Sequence, residues 1–138
     1  MESSQEKSVR LPTFNGDDKN FQLWWMCFCV YARVYKFLQA TKRMPDPDLP
    51  ASKGAAIDAT TEDGKKQIAA KKANKVCMAN LTMAFTSEKL LGLIYKSVTA
   101  DWLEGLAHQV INTLFKKYMP QDLIYQKWSY PENQAKSA

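Results

Sequence analysis

The side chains that could do covalent or metal chemistry are few, and their spacing is wrong for it. Three thiols, Cys27, Cys29 and Cys77, accompany the lone imidazole of His108. A zinc site needs three or four thiolate or imidazole ligands at short, recurring intervals, and Cys27-Phe28-Cys29 is neither a zinc nor a redox spacing. All three cysteines lie in apolar helical patterns, which reads as reduced thiols packed like small hydrophobes. His108 has no acid or nucleophile at a usable interval, so a general-base role has no support. Asp46 and Asp48 sit among prolines, unlike the enclosed setting that tunes a catalytic carboxylate. No phosphate-binding loop, nucleophile elbow or paired-carboxylate signature is present. The expectation is a protein that is not an enzyme and uses no cofactor, metal or small-molecule substrate.

What the chain does offer is charge. Lys65, Lys66, Lys71, Lys72 and Lys75 are clustered, and the net charge is +5. Clustered cations can replace the counterions around phosphates, which makes Lys65, Lys71, Lys72 and Lys75 the candidate nucleic-acid contacts. The plainer alternative is a solvated helix face, since alternating Lys/Ala stretches are good helix formers whatever they touch.

These residues must be carried by helices. The 138 residues suffice for one domain with a real core, and 46% hydrophobic against 24% charged residues is ordinary for a globular chain. Phe21, Trp24, Trp25, Phe28, Tyr31, Ala32, Tyr35 and Leu38 recur at three- and four-residue steps, predicting a first helix to about Ala40. Met26, Cys27, Cys29 and Val30 add apolar surface on its other sides, so its middle should be buried nearly all round. Three prolines between Met44 and Pro50 end it and open a long Pro/Asp-rich loop, about 43–61, with a short helix near Ala55 to Ala59 as an alternative for part of it. A second helix is expected from Glu62 to Phe85, with Ala69, Ala70, Ala73, Val76, Cys77, Leu81 and Ala84 on one side and the lysines with Ile68 on another. Thr86-Ser87-Glu88 caps a short third helix through Leu90, Leu91, Ile94 and Tyr95. The fourth carries Leu103, Leu106, Ala107, Val110, Ile111, Leu114, Phe115 and Tyr118 and stops at Met119-Pro120; a fifth can start at Asp122. No period-two run appears. The expected fold is all-α, a compact bundle of four to five helices, with residues 1–10 as a disordered tail, 11–128 as the domain, and 129–138 as a second tail.

No apolar segment suits a secretory leader, and the longest apolar run, Leu23 to Ala32, is half of what spans a bilayer. The expected location is therefore cytoplasmic, or also nuclear, with no membrane partner.

The opening Leu11-Pro12-Thr13-Phe14-Asn15-Gly16-Asp17-Asp18-Lys19-Asn20-Phe21-Gln22-Leu23-Trp24-Trp25 resembles the start of the Gag polypeptide of copia-type LTR retrotransposons. Phe14, Gly16, Phe21 and Trp24 match its aromatic-Gly-aromatic-Trp pattern. Leu114, Tyr118, Pro120 and Asp122 match the L-x-x-x-Y-x-P-x-D ending, and the similarity covers roughly residues 11 to 126. Trp102 does not fall where the family's tryptophan does, which marks a divergent branch. The resemblance implies a capsid-like domain that self-associates into a virus-like particle and packages element RNA without sequence preference. It also implies that the chain is a fragment or truncated copy, because the family's downstream zinc knuckle has no counterpart here. Two other readings stay open: a domesticated helical adapter taking a partner peptide or helix between the first and fourth helices, and a small basic RNA-binding protein.

Overall fold

The computed structural model describes residues 9–119. Within them four α-helices follow in order: α1 (Phe21–Val34), α2 (Glu62–Ala84), α3 (Glu88–Lys96) and α4 (Ala107–Tyr118), with single 3-10 turns at Asp18–Asn20 and Leu38–Ala40. No strand forms among the described residues; one isolated parallel bridge joins Phe14 to Phe85. The fold is all-α, as expected. The stop at Pro120, the fifth helix, the tail from Ser129 and all but the last two residues of the N-terminal tail lie outside the described residues.

Local chemistry sets the starts of α2 and α3. The Thr61 hydroxyl accepts from Gly64 N–H at 2.9 Å, with Glu62 and Asp63 beside it on the positive end of the α2 dipole. Ser87 accepts from Leu90 N–H at 3.3 Å and opens α3 as read from sequence.

The first helix is shorter than its pattern suggests. It ends at Val34 because Lys36 takes a left-handed conformation, φ 65°. There Phe37 N–H reaches back to Ala32 C=O at 2.9 Å and Lys36 N–H to Arg33 C=O at 3.3 Å, which satisfies the last carbonyls and turns the chain. Phe37 folds inward, fully buried, against Phe28. The apolar residues after Val34 thus reach the core by a turn, and the period of the sequence does not register the break.

The core is aromatic where the two ends of the described residues meet. Phe14, Phe21, Trp24, Phe28 and Phe37 are buried with Leu81, Leu90, Val110, Ile111, Leu114 and Met119. Trp24, Phe28, Val110 and Leu114 are core, as the spacing predicts. The small-residue side of α2 is inside at Ala70, Ala73, Cys77, Leu81 and Ala84, although Ala69 is exposed.

Three further expectations are corrected. The middle of α1 is not buried all round: Leu23 is 68% exposed, Met26 61%, and Cys27, Val30 and Val34 are also exposed. The alternative of a short helix over 55–59 is not realised: the chain there is irregular, with a turn only from Ala59. The fourth helix begins only at Ala107, leaving Leu103 exposed ahead of it, because Gly105 turns the chain at φ 90°.

Candidate functional site

The two halves of the sequence pattern come together. Phe14 stacks on Trp24 at 5.1 Å and meets the Tyr118 ring edge-on at 5.1 Å, while Phe21 lies 5.6 Å from Tyr118. Phe14 N–H donates to Ala84 C=O at 2.9 Å and its carbonyl accepts from Thr86 N–H at 3.0 Å, so this residue is pinned by backbone as well as by its ring. Gly16, at φ 92°, passes beside the Tyr118 hydroxyl. Leu114 is fully buried one turn before Tyr118. Trp24 Nε1 donates to Pro12 C=O at 3.2 Å, which uses its polar handle. Phe14, Phe21, Trp24 and Leu114 are buried core, and the half-buried Tyr118 packs its ring against them. Pro120 and Asp122 lie outside the described residues.

The opposite face of α1 is open. Leu23, Met26, Cys27, Val30 and Val34 fall within an arc of about 100° on the helical wheel, at 3.6 residues per turn. The aromatic residues occupy the other side. An amphipathic helix normally turns charge outward. Here the outward stripe is aliphatic.

Where α1 and α4 meet, Trp25 and Phe115 pack at 5.1 Å and floor a groove of about 1120 Å³. Its far wall is the start of the long loop, Met44, Pro45 and Pro47, with Lys42 and Arg43. Two of the four charged groups there, Arg43 and Asp46, are engaged. The Arg43 guanidinium lies 5.0 Å from the Phe115 ring centre and donates to Asn112 Oδ1 at 3.1 Å. Asp46 accepts from Gln39 Nε2 at 2.9 Å and from Asp48 N–H at 3.0 Å.

The rest of the long loop is fastened to the body. Trp102, buried, donates from Nε1 to Ala51 C=O at 3.2 Å, Lys53 N–H donates to Asp101 C=O at 2.9 Å, and Lys53 Nζ pairs with Glu104 at 2.9 Å. Asn74 supplies the deepest polar contact. Its Nδ2 donates to Gly105 C=O at 3.0 Å and its Oδ1 accepts from Ala107 N–H at 2.9 Å. That side chain caps α4 from a different helix, replacing the cap that Leu106 cannot provide.

The four lysines singled out on α2 do not act as one free patch. Lys65 lies 3.8 Å from Glu62, and Lys71 Nζ donates to Lys53 C=O at 2.6 Å. Lys72 and Lys75 remain exposed. A different cluster, which the sequence pattern does not pick out, joins two helices. Lys89 and Lys96 stand two turns apart on one flank of α3, and Lys117 reaches them from the last turn of α4. Loss of surrounding water, the charge and hydrogen-bond contact of Lys89, and the charge of Lys96 together push the Lys117 pKa down. The only sequence signal is the seven-residue interval between Lys89 and Lys96; the third lysine is contributed by the fold.

Of the three thiols read as packed hydrophobes, Cys77 is buried and Cys29 half-buried, but Cys27 lies exposed on the outer face of α1. Burial pushes the Cys77 thiol far up and raises Cys29, whose shift the charges of Lys42 and Arg33 reduce. Burial lowers the pKa of half-buried His108. Among the described residues no group of three His, Cys, Asp or Glu could hold a metal ion, and no helix is long and apolar enough to cross a membrane.

Compared with protein-family models, with curated proteins and with solved structures, the chain gives no match.

Proposed function

We propose that this chain is a structural, capsid-like domain of copia Gag type, whose copies associate through the outer face of α1 into a particle that packages RNA. The observation that carries the reading is the aliphatic stripe Leu23, Met26, Val30 and Val34, left uncovered on a helix whose other side is closed core. Its occupant in this reading is a second copy, since one such helix can pack on its equal by the same ridges and grooves. Shell contacts that are individually weak become effective by valency. The resemblance of the N- and C-terminal patterns, in which Phe14 and Phe21 pack on Tyr118, supports the same reading. Packaging then rests on basic surface, with contacts that follow phosphate charge and not sequence.

Sedimentation of the chain over a concentration series tests this, with electron microscopy of the full-length product for particles. The wild type is expected to self-associate weakly, and Met26→Glu with Val30→Glu to remain monomeric at unchanged helicity. A strictly monomeric wild type at its highest soluble concentration, with no particles, removes the proposal.

One observation favours a second reading. The Trp25–Phe115 groove lies between the first and fourth helices, and its apolar floor with a proline wall suits an inserted peptide or helix of a partner. In that case the chain is a monomeric adapter, and a groove variant such as Trp25→Ala loses its partner while the α1 variant does not.

A further inference from the structure

The lysines of α3 and α4 are arranged differently from an ordinary solvated face. Surface lysines usually spread apart or alternate with acids. Here Lys89, Lys96 and Lys117, all exposed, are brought to one place by two packed helices, and none of them belongs to either ion pair among the described residues. The like charges of Lys89 and Lys96 act on Lys117 across the junction of the two helices, and the Lys117 ammonium also lies 5.8 Å from the Tyr118 ring centre. An anion placed among the three would offset that mutual repulsion. Lys96 and Lys117 each lie in the last turn of a helix, where the negative dipole end tolerates a cation without replacing a counterion.

The surface next to the cluster has a second feature. Gly92 lies midway between Lys89 and Lys96, and a Cβ there would meet nothing within 4 Å. Glycine inside a helix is destabilising relative to alanine, and no packing contact requires it here. At 3.6 residues per turn Gly92 separates the lysine flank from Tyr95. Tyr95 is 81% exposed, the most exposed large apolar side chain described. The outward surface of α3 thus runs from cations, across a gap with no side chain, to an open aromatic ring. Glu88, at the first turn, is the only acid on the helix.

We infer that Lys89, Lys96 and Lys117 form a phosphate-binding site for the backbone of single-stranded nucleic acid, with Tyr95 as the stacking face for a base lying across Gly92. Single-strand binders combine these two elements, a cationic track for phosphates and an aromatic platform tolerant of any base. The site rests on the packaging half of the proposal above for its choice of RNA; it does not depend on the α1 contact.

Fluorescence anisotropy of a labelled poly-uridine RNA, read with the whole chain at low and at physiological salt, tests the inference. Lys89→Gln, Lys96→Gln and Lys117→Gln combined should lower affinity at least tenfold, and the log–log salt slope should fall by about 0.7 for each phosphate no longer neutralised. Tyr95→Ala should weaken binding with the salt slope unchanged. A charge-matched control, Lys65→Gln, Lys72→Gln and Lys75→Gln, should lose clearly less. Equal losses in the two triple variants would reduce the effect to net charge and overturn the site, as would an unchanged α3/α4 variant. Wild-type binding to phosphatidylserine vesicles without binding to RNA would overturn it in favour of a membrane surface. Sedimentation of the same variant separates the two proposals: association kept with RNA binding abolished supports the site, while association absent in the wild type with RNA still bound at Lys89, Lys96 and Lys117 removes only the shell.

Discussion

The bundle is held by two different means at two places. Where Phe14, Phe21 and Trp24 meet Phe115 and the half-buried Tyr118, rings lie 5 to 6 Å apart and in varied orientations. Where α2 meets the segment before α4, a single amide, Asn74, satisfies two backbone groups at Gly105 and Ala107. Burial of the rings is largely non-directional and spreads its stabilisation over much area, so it tolerates volume-conserving exchange. A buried amide with two partners has one geometry, and no other side chain of its length carries both its donor and its acceptor. The first region specifies that the chain collapses; the second specifies where α4 begins.

Three substitutions test this contrast. Trp24→Ala should cost about 3–5 kcal/mol in urea unfolding, whereas Trp24→Phe should recover most of that loss. If the two are equally damaging, the aromatic region depends on the bond to Pro12 and not on volume. Asn74→Ala should cost about 2–3 kcal/mol, since it strands the Gly105 carbonyl and the Ala107 amide. Unlike the tryptophan case, no conservative variant should rescue it: Asn74→Asp restores the acceptor but not the donor. Rescue by aspartate would show that only the Ala107 bond matters. The smallest effect is expected at the end of α1. Lys36→Gly relieves a left-handed residue and should stabilise the protein by about 0.5–1 kcal/mol, read as a raised Tm.

Much of the first region was legible in the sequence and little of the second. The three- and four-residue steps of Phe21, Trp24 and Phe28, and of Val110 and Leu114, name the core because burial of rings and branched chains follows helical period. Period alone did not reveal which side of α1 stays uncovered, because both sides are apolar. It did not reveal the stop at Val34 either, because the usual glycine is replaced by Lys36. Asn74 stands in a Lys/Ala stretch and reads as another solvated polar residue until α4 is laid against it. The lysines show the same limit. A charge run such as Lys65 to Lys75 is visible in one dimension, yet Lys65 and Lys71 find partners within the fold. Lys117 joins Lys89 and Lys96 only through helix packing.

The position of Phe14 has a consequence for the order in which the molecule forms. Its backbone bonds reach Ala84 and Thr86, and its ring reaches Tyr118. The contact that closes the aromatic region therefore joins the beginning of the described chain to its end, and such closures come late because loop entropy must be overcome first. During synthesis from the N-terminus, α1 emerges with both of its faces bare. Its rings cannot be covered fully until Tyr118 has left the ribosome, so nascent copies on one message would display adhesive helices before any of them is a finished domain.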